Sequence, residues 1–319
     1  MQALWLEDQH LSFRSDVPAP DLAPGYALIR MRLAGICSTD LELVEGYYPF
    51  TGIPGHEFIG DVIAAPGAEA LVGQRVVGEI NQVCGKCAAC QSGNPTHCER
   101  RTTLGIRGHN GAFAEQLTLP QANLHLVPSS VPDQAAVFVE PLAAALEIQQ
   151  QVQIHPTDRI LVIGAGRLGQ LIAMTLALTG CDLAVLARHT NQRTLLAAQG
   201  IAVITEAELS ERSKDIVVEA SGSQAGFALA RRVVRPRGML ILKSTYHGDA
   251  QVNLSSLVVD EIHLVGSRCG PFPPALRLLE NGQVNPLAMI EMEYPISRGL
   301  EAFEHAARPS VLKVLLRPG

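Results

Sequence analysis

A chain of 319 residues is long enough for two packed domains, and 47% hydrophobic against 18% charged residues is the balance of a folded globular protein. A formal net charge of −6 without clustered Lys/Arg argues against nucleic acid or an anionic membrane as the main partner and leaves small molecules. The opening residues MQALWLEDQH carry neither a basic nor an apolar leader, and the most apolar later run, ILVIGAGRLGQLIAMTLALTG, is broken by Arg167 and glycines, so a cytoplasmic location is expected.

In chain order, residues 1–149 are rich in Pro and Gly, with short β-like runs (YALIRMRLAG, EFIGDVIAAPG, QRVVGEI) between turns, which predicts an irregular, mostly-β domain. Residues 150–270 change texture. RILVIGAG, RLGQLIAMTLALTG, CDLAVLAR, DIVVEASG and GMLILKST alternate strand and helix patterns, which calls for a doubly wound parallel sheet and places the chain in the α/β class. Residues 271–319 add a helix, PALRLLENG, and a final strand, VLKVLLRPG, suited to pair back into the first domain.

Seven cysteines in a reducing compartment suggest metal ligands or buried thiols rather than disulfides. Four of them, Cys84, Cys87, Cys90 and Cys98, follow C-x2-C-x2-C-x7-C spacing. Four thiolates from one loop close a tetrahedral zinc shell with no place left for water, so the expected site is structural. An iron–sulfur cluster, which uses the same donors, is the alternative. Cys181 and Cys269 belong to no motif and are expected to be buried thiols.

In the second region the turn GAGRLG, with Gly164, Gly166 and Gly169, follows an apolar strand and opens a helix, the context a dinucleotide fingerprint needs. The first glycine makes the tight turn, the second lets the backbone approach a pyrophosphate, and the third lets helix and strand pack closely. The whole turn, Arg167 and Leu168 included, is the candidate phosphate cradle at the helix N-terminus. About twenty residues on, the next strand ends in Arg188 where NAD binding would want an acid, and Arg193 lies roughly one helical turn further. Arginines there suit a 2′-phosphate, so NADP(H) is favoured over NAD(H).

The motifs GICSTD, GHE, CGKCAAC…C, VEPLA, GAGRLG and VLKVLL, in that order, resemble the zinc-dependent medium-chain dehydrogenase/reductase family over nearly the whole chain. That resemblance implies a GroES-like catalytic domain with two zinc sites, a Rossmann domain, a homodimer or homotetramer, and hydride transfer between NAD(P) and an alcohol or carbonyl substrate. It makes Cys37 and His56 catalytic zinc ligands, with Glu57 and Glu140 as carboxylate candidates for the third place. The chemistry agrees, since thiolate, imidazole and carboxylate leave a fourth position open for water or substrate. Thr39 takes the place whose hydroxyl receives the alcohol proton, or else caps the following helix. Where the better-known members end the proton relay in a histidine, this chain has Glu42, a candidate terminal acceptor. Tyr47, Tyr48 and Phe50 either line a substrate pocket, where aromatics would favour an apolar or ring-bearing alcohol or aldehyde over a polyol, or pack the domain core. A zinc-free quinone or enoyl reductase and a non-catalytic nucleotide-binding protein are the competing readings.

Overall fold

The computed structural model describes residues 1–245 and 251–319. The chain divides into two compact units, Met1–Glu140 with Phe272–Gly319, and Pro141–Pro271.

The first unit is built on a mixed sheet. Its central strand, β1 (Tyr26–Gly35), buries Ala27, Ile29, Met31 and Leu33 and exposes Arg30 and Arg32, the period-2 alternation of a strand with one covered face. A short helix, α1 (Ser38–Val44), follows, then β2 (Glu57–Ala64) and β3 (Arg75–Gly78), and later β4 (Gln116–Pro120) and β5 (Leu124–Leu126). The helix α2 (Val139–Gln151) runs across the division between the units. The change of composition at residue 150 therefore marks the end of this apolar helix, while the packing changes at Glu140.

The second unit alternates strand and helix: β6 (Arg159–Ile163), α3 (Arg167–Ala177), β7 (Asp182–Leu186), α4 (Thr190–Ala198), β8 (Ala202–Ile204), β9 (Lys214–Glu219), α5 (Gln224–Val233), β10 (Val234–Leu242), α6 (Leu254–Val259) and β11 (His263–Gly266). Among the described residues these strands form one parallel sheet in the order β8-β7-β6-β9-β10-β11, the doubly wound arrangement in which ligands bind outside the carboxyl ends of the strands. β6 reads as an uninterrupted apolar run because both of its faces are covered, and Ile160, Leu161, Val162 and Ile163 are all buried. Only a strand of three residues and one 3-10 turn, Glu206–Glu208, fit between α4 and β9.

The last 48 or so residues return to the first unit through α7 (Phe272–Glu280), β12 (Ile290–Pro295), α8 (Gly299–Ala306) and β13 (Lys313–Arg317). β13 inserts beside β1 with Leu315 opposite Gly35, giving the sheet order β5-β3-β2-β1-β13-β12, with β4 also on β1.

Candidate metal centres and dinucleotide site

Cys37, His56 and Glu57 each offer a ligand atom, and these atoms all lie within 4.8 Å of one another. The stretch that supplies them is more regular than its Gly and Pro content suggests. Cys37 is the N-cap of α1, and Glu57 is the first residue of β2, with His56 just before it.

Asp40 ties the two elements together. Its Oδ2 accepts the Cys37 backbone N–H at 2.8 Å, and its Oδ1 lies 3.3 Å from Nδ1 of His56. Asp40 is wholly buried and His56 nearly so, and neither of these two facing atoms has another hydrogen-bond partner among the described residues. A carboxylate against one ring nitrogen fixes the imidazole and leaves the other for a metal. Burial works against a charge on His56, but Asp40 and then Cys37 outweigh it and hold the imidazole pKa well above its ordinary value. A thiolate, an imidazole and a carboxylate within 4.8 Å of one another, with a buried carboxylate behind the imidazole, are a donor set that fits zinc.

Glu57 is buried against Lys313 of β13, and the two form an ion pair with 1% of each side chain exposed. The Lys313 ammonium also lies 5.2 Å from the centre of the Phe138 ring. Room for the pair comes from Gly35, where a Cβ would meet Glu57 Oε2 at 2.6 Å and Val137 Cγ1 at 2.8 Å.

The other candidates lie outside this group of three. Glu140 stands half-buried in the first turn of α2 and is not among the three gathered residues. Thr39 lies inside the first turn of α1, so it is not the helix cap, a place Cys37 takes through a reciprocal capping box with Asp40. Glu42 is half-buried on the same helix. Tyr47 and Tyr48 are 38% and 36% exposed, which removes them from the core, while Phe50 is half-buried.

Cys84, Cys87, Cys90 and Cys98 also bring their sulfurs within 4.8 Å of one another. The Cys87 sulfur lies 3.5 Å from that of Cys90 and 3.8 Å from that of Cys98. Those spacings match the edge of a tetrahedron with Zn–S bonds of about 2.3 Å. Backbone N–H groups of Cys90 and Glu99 pull the Cys87 thiol down to about 6. Burial pushes the Cys90 thiol up to about 12. One thiolate forms readily here and the next only with a cation to offset it, which suits a metal-bound set. Cys181 and Cys269 are half-buried rather than fully buried thiols.

In the second unit, Gly164 adopts φ +99°, and a Cβ there would lie 2.8 Å from the Ala220 carbonyl oxygen. Gly169 presses on the same turn, where a Cβ would meet the Gly164 carbonyl oxygen at 2.1 Å. A Cβ on Gly166, the N-cap of α3, meets nothing within 4 Å. Two of the glycines are therefore demanded by the chain itself, and the third keeps a space open at a helix N-terminus that Arg167 and Leu168 begin. That is the cradle a pyrophosphate needs. Arg188, exposed just beyond β7, and Arg193, half-buried on α4, stand past the neighbouring strand.

Asp40 and Lys313 were not evident as site residues from the sequence. Signals existed for both, an acid three residues after Cys37 in GICSTD and a lone charge inside the apolar strand VLKVLL, which only a buried partner explains.

Residues 23–129 match the model of the alcohol dehydrogenase GroES-like domain. D-arabinitol dehydrogenase 1 of Uromyces fabae is 30% identical over 328 residues, covering 96% of this chain and 93% of that one. The chain belongs to the zinc-dependent medium-chain dehydrogenase/reductase family. Sorbitol dehydrogenase of Halalkalibacterium halodurans is 29% identical, covering 94% of each chain. A zinc-binding dehydrogenase of Sinorhizobium meliloti 1021, solved with NADP, has the same fold, with a TM-score of 0.91 at 24% identity over 99% of both chains. As a medium-chain dehydrogenase the protein is an alcohol oxidoreductase, with a GroES-like domain and a Rossmann domain. No helix among the described residues is long and apolar enough to cross a membrane.

Proposed function

We propose that the protein interconverts a small alcohol and its carbonyl with one catalytic zinc, one structural zinc and NADP(H) in preference to NAD(H). The observation that carries this reading is the convergence of Cys37, His56 and Glu57 on one point of the first unit. When bound, zinc supplies the Lewis acid that acidifies an alcohol or polarises a carbonyl, and the nicotinamide exchanges the hydride.

The protein's own groups do the rest. Cys37 and His56 hold the metal, Asp40 orients His56, and Glu57 or Glu140 provides the carboxylate. Glu57 already stands beside Cys37 and His56 while one of its oxygens is paired with Lys313, and Glu140 is the alternative carboxylate for the third place. Thr39 holds the substrate proton and Glu42 passes it outward. Gly164, Gly166, Arg167, Leu168 and Gly169 cradle the pyrophosphate, while Arg188 and Arg193 attract a 2′-phosphate. The arabinitol and sorbitol dehydrogenases support a secondary alcohol with neighbouring hydroxyls as substrate, and the exposed Tyr47 and Tyr48 offer rings for its carbon skeleton. A homodimer or homotetramer in the cytoplasm completes the reading.

Initial rates of zinc-replete protein against sugar alcohols, simple alcohols, aldehydes and ketones with each cofactor test it. Turnover faster with the phosphorylated cofactor, lost in Cys37→Ala, together with two zinc per chain, supports the proposal. One zinc per chain and activity surviving Cys37→Ala would point to the zinc-free reductase. For Glu42, a low-pH limb of the rate profile that stays in place in Glu42→Gln removes it from the relay.

A further inference from the structure

β7 and β8 are parallel neighbours in the register Leu186 opposite Ile204, so the segment leaving β8 runs beside the one that carries Arg188. That segment is a 3-10 turn, Glu206–Glu208, capped by Thr205. Glu208 is anchored in it. Its Oε2 accepts both the Thr205 backbone N–H at 2.7 Å and the Thr205 hydroxyl at 2.6 Å. These two bonds hold the Glu208 carboxyl below its ordinary range, and the charge of Arg193 on α4 adds to them. The neighbouring Glu206 is engaged differently, by Arg232 at 2.8 Å.

The carboxyl ends of the first two strands of such a sheet are where the adenosine ribose is read. Glu208 stands one strand further on, in the turn after β8 beside the end of β7 and near enough to Arg193 to feel its charge, so its carboxylate would meet two different ligands differently. The 2′-hydroxyl of NADH is neutral, whereas a 2′-phosphate carries a charge between about −1.5 and −2. The phosphate is repelled by the carboxylate and must share Arg193 with it.

We propose that Glu208 is a specificity-determining residue of the cofactor site, which weakens the hold on a 2′-phosphate by opposing its charge and competing for Arg193. The inference rests on the NADP(H) reading above and deepens it. It makes the chain's preference a balance between Arg188 and Arg193 on one side and Glu208 on the other, rather than a switch set at the end of β7 alone.

Glu208→Gln tests this, because the amide oxygen still accepts the two Thr205 bonds while the charge is gone. Zinc-replete wild type, Glu208→Gln, Glu206→Gln and Arg188→Ala are titrated with NADPH and with NADH by nicotinamide fluorescence at low and high salt. Glu208→Gln is expected to bind NADPH about threefold to tenfold tighter and NADH unchanged, with the gain shrinking in high salt, as for one solvent-screened charge. Glu206→Gln is expected to gain less, its charge being already met by Arg232. Unchanged NADPH binding in Glu208→Gln while Arg188→Ala weakens it overturns the inference alone. An equal gain in Glu206→Gln overturns it too, as a mere net-charge effect. Weaker NADH binding in Glu208→Gln overturns it by showing that Glu208 holds the ribose hydroxyl. Wild type favouring NADH, with NADPH binding indifferent to Arg188→Ala, overturns the NADP(H) reading and the inference together.

Discussion

Asp40 and His56 face each other across 3.3 Å, Oδ1 to Nδ1, in a position closed to solvent. Because the carboxylate sets the direction of the imidazole, removing its charge should loosen the metal without unfolding the chain. Asp40→Asn keeps an acceptor for the Cys37 N–H and should weaken the first unit's three-residue zinc site about tenfold to a hundredfold. Zinc analysis after dialysis against a mild chelator is then expected to fall from two ions per chain toward one. Retention of both would show that His56 needs no such partner.

The buried pair of Glu57 and Lys313 gives a stability prediction. Lys313→Met leaves a buried carboxylate without its cation and should cost about 3–5 kcal/mol. Adding Glu57→Gln should recover most of that loss in thermal melts, because the uncompensated charge is gone. Equal melting temperatures for Lys313→Met and wild type would mean that Glu57 does not depend on Lys313 for its place in the core.

These two pairs mark the limit of what could be read from the sequence. The four cysteines, GAGRLG and the strand–helix alternation are local patterns, written in spacings of a few residues, and each named its element. Glu57 and Lys313 are 256 positions apart, and although the lone charge in VLKVLL calls for a buried partner, nothing local says that the partner is Glu57. β12 and α8 were legible in principle, since Ile290, Met292 and Tyr294 alternate with Glu291 and Glu293, and Gly299, Ala302, Phe303 and Ala306 recur at helical spacing on the face that α8 buries. The domain boundary read near residue 150 follows composition, which stays apolar to the end of α2, whereas the division by packing at Glu140 leaves no mark in the composition.

The glycines of the dinucleotide turn separate folding from binding. Gly169→Ala forces a Cβ onto the Gly164 carbonyl and should lower the melting temperature of the cofactor-free protein, at about 1–3 kcal/mol. Gly166→Ala fills only open space, so its melt should match wild type while NADPH binding weakens about tenfold or more. A stable Gly166→Ala protein with undiminished affinity would place the pyrophosphate elsewhere.

Asp215 predicts part of the acid sensitivity. It is held by Arg159 through hydrogen bonds at 2.9 and 3.3 Å and by Arg235, and Arg159, then Arg235, keep its carboxyl well below the usual carboxylate range. A pKa depressed in the folded state means stability that is complete above about pH 4, the unfolded value, and is lost as pH falls toward the folded one. Asp215→Asn should therefore lower the melting temperature at pH 7 and flatten its decline between about pH 4 and pH 2. A parallel decline in both proteins would assign the acid sensitivity to other carboxylates.

The position of β13 has a consequence for how the chain is made. A ribosome delivers Lys313–Arg317 after every other strand, yet this strand lies between β1 and β12, inside the first unit's sheet. The second unit, contained in one uninterrupted stretch, can close while synthesis continues, whereas the first unit keeps an open seam beside β1 until Lys313–Arg317 has emerged. Glu57 meets its counter-ion only when that seam closes. The unit that starts first is thus the last to be complete, and until β13 arrives the end of β1 that it covers is open to pairing with another chain.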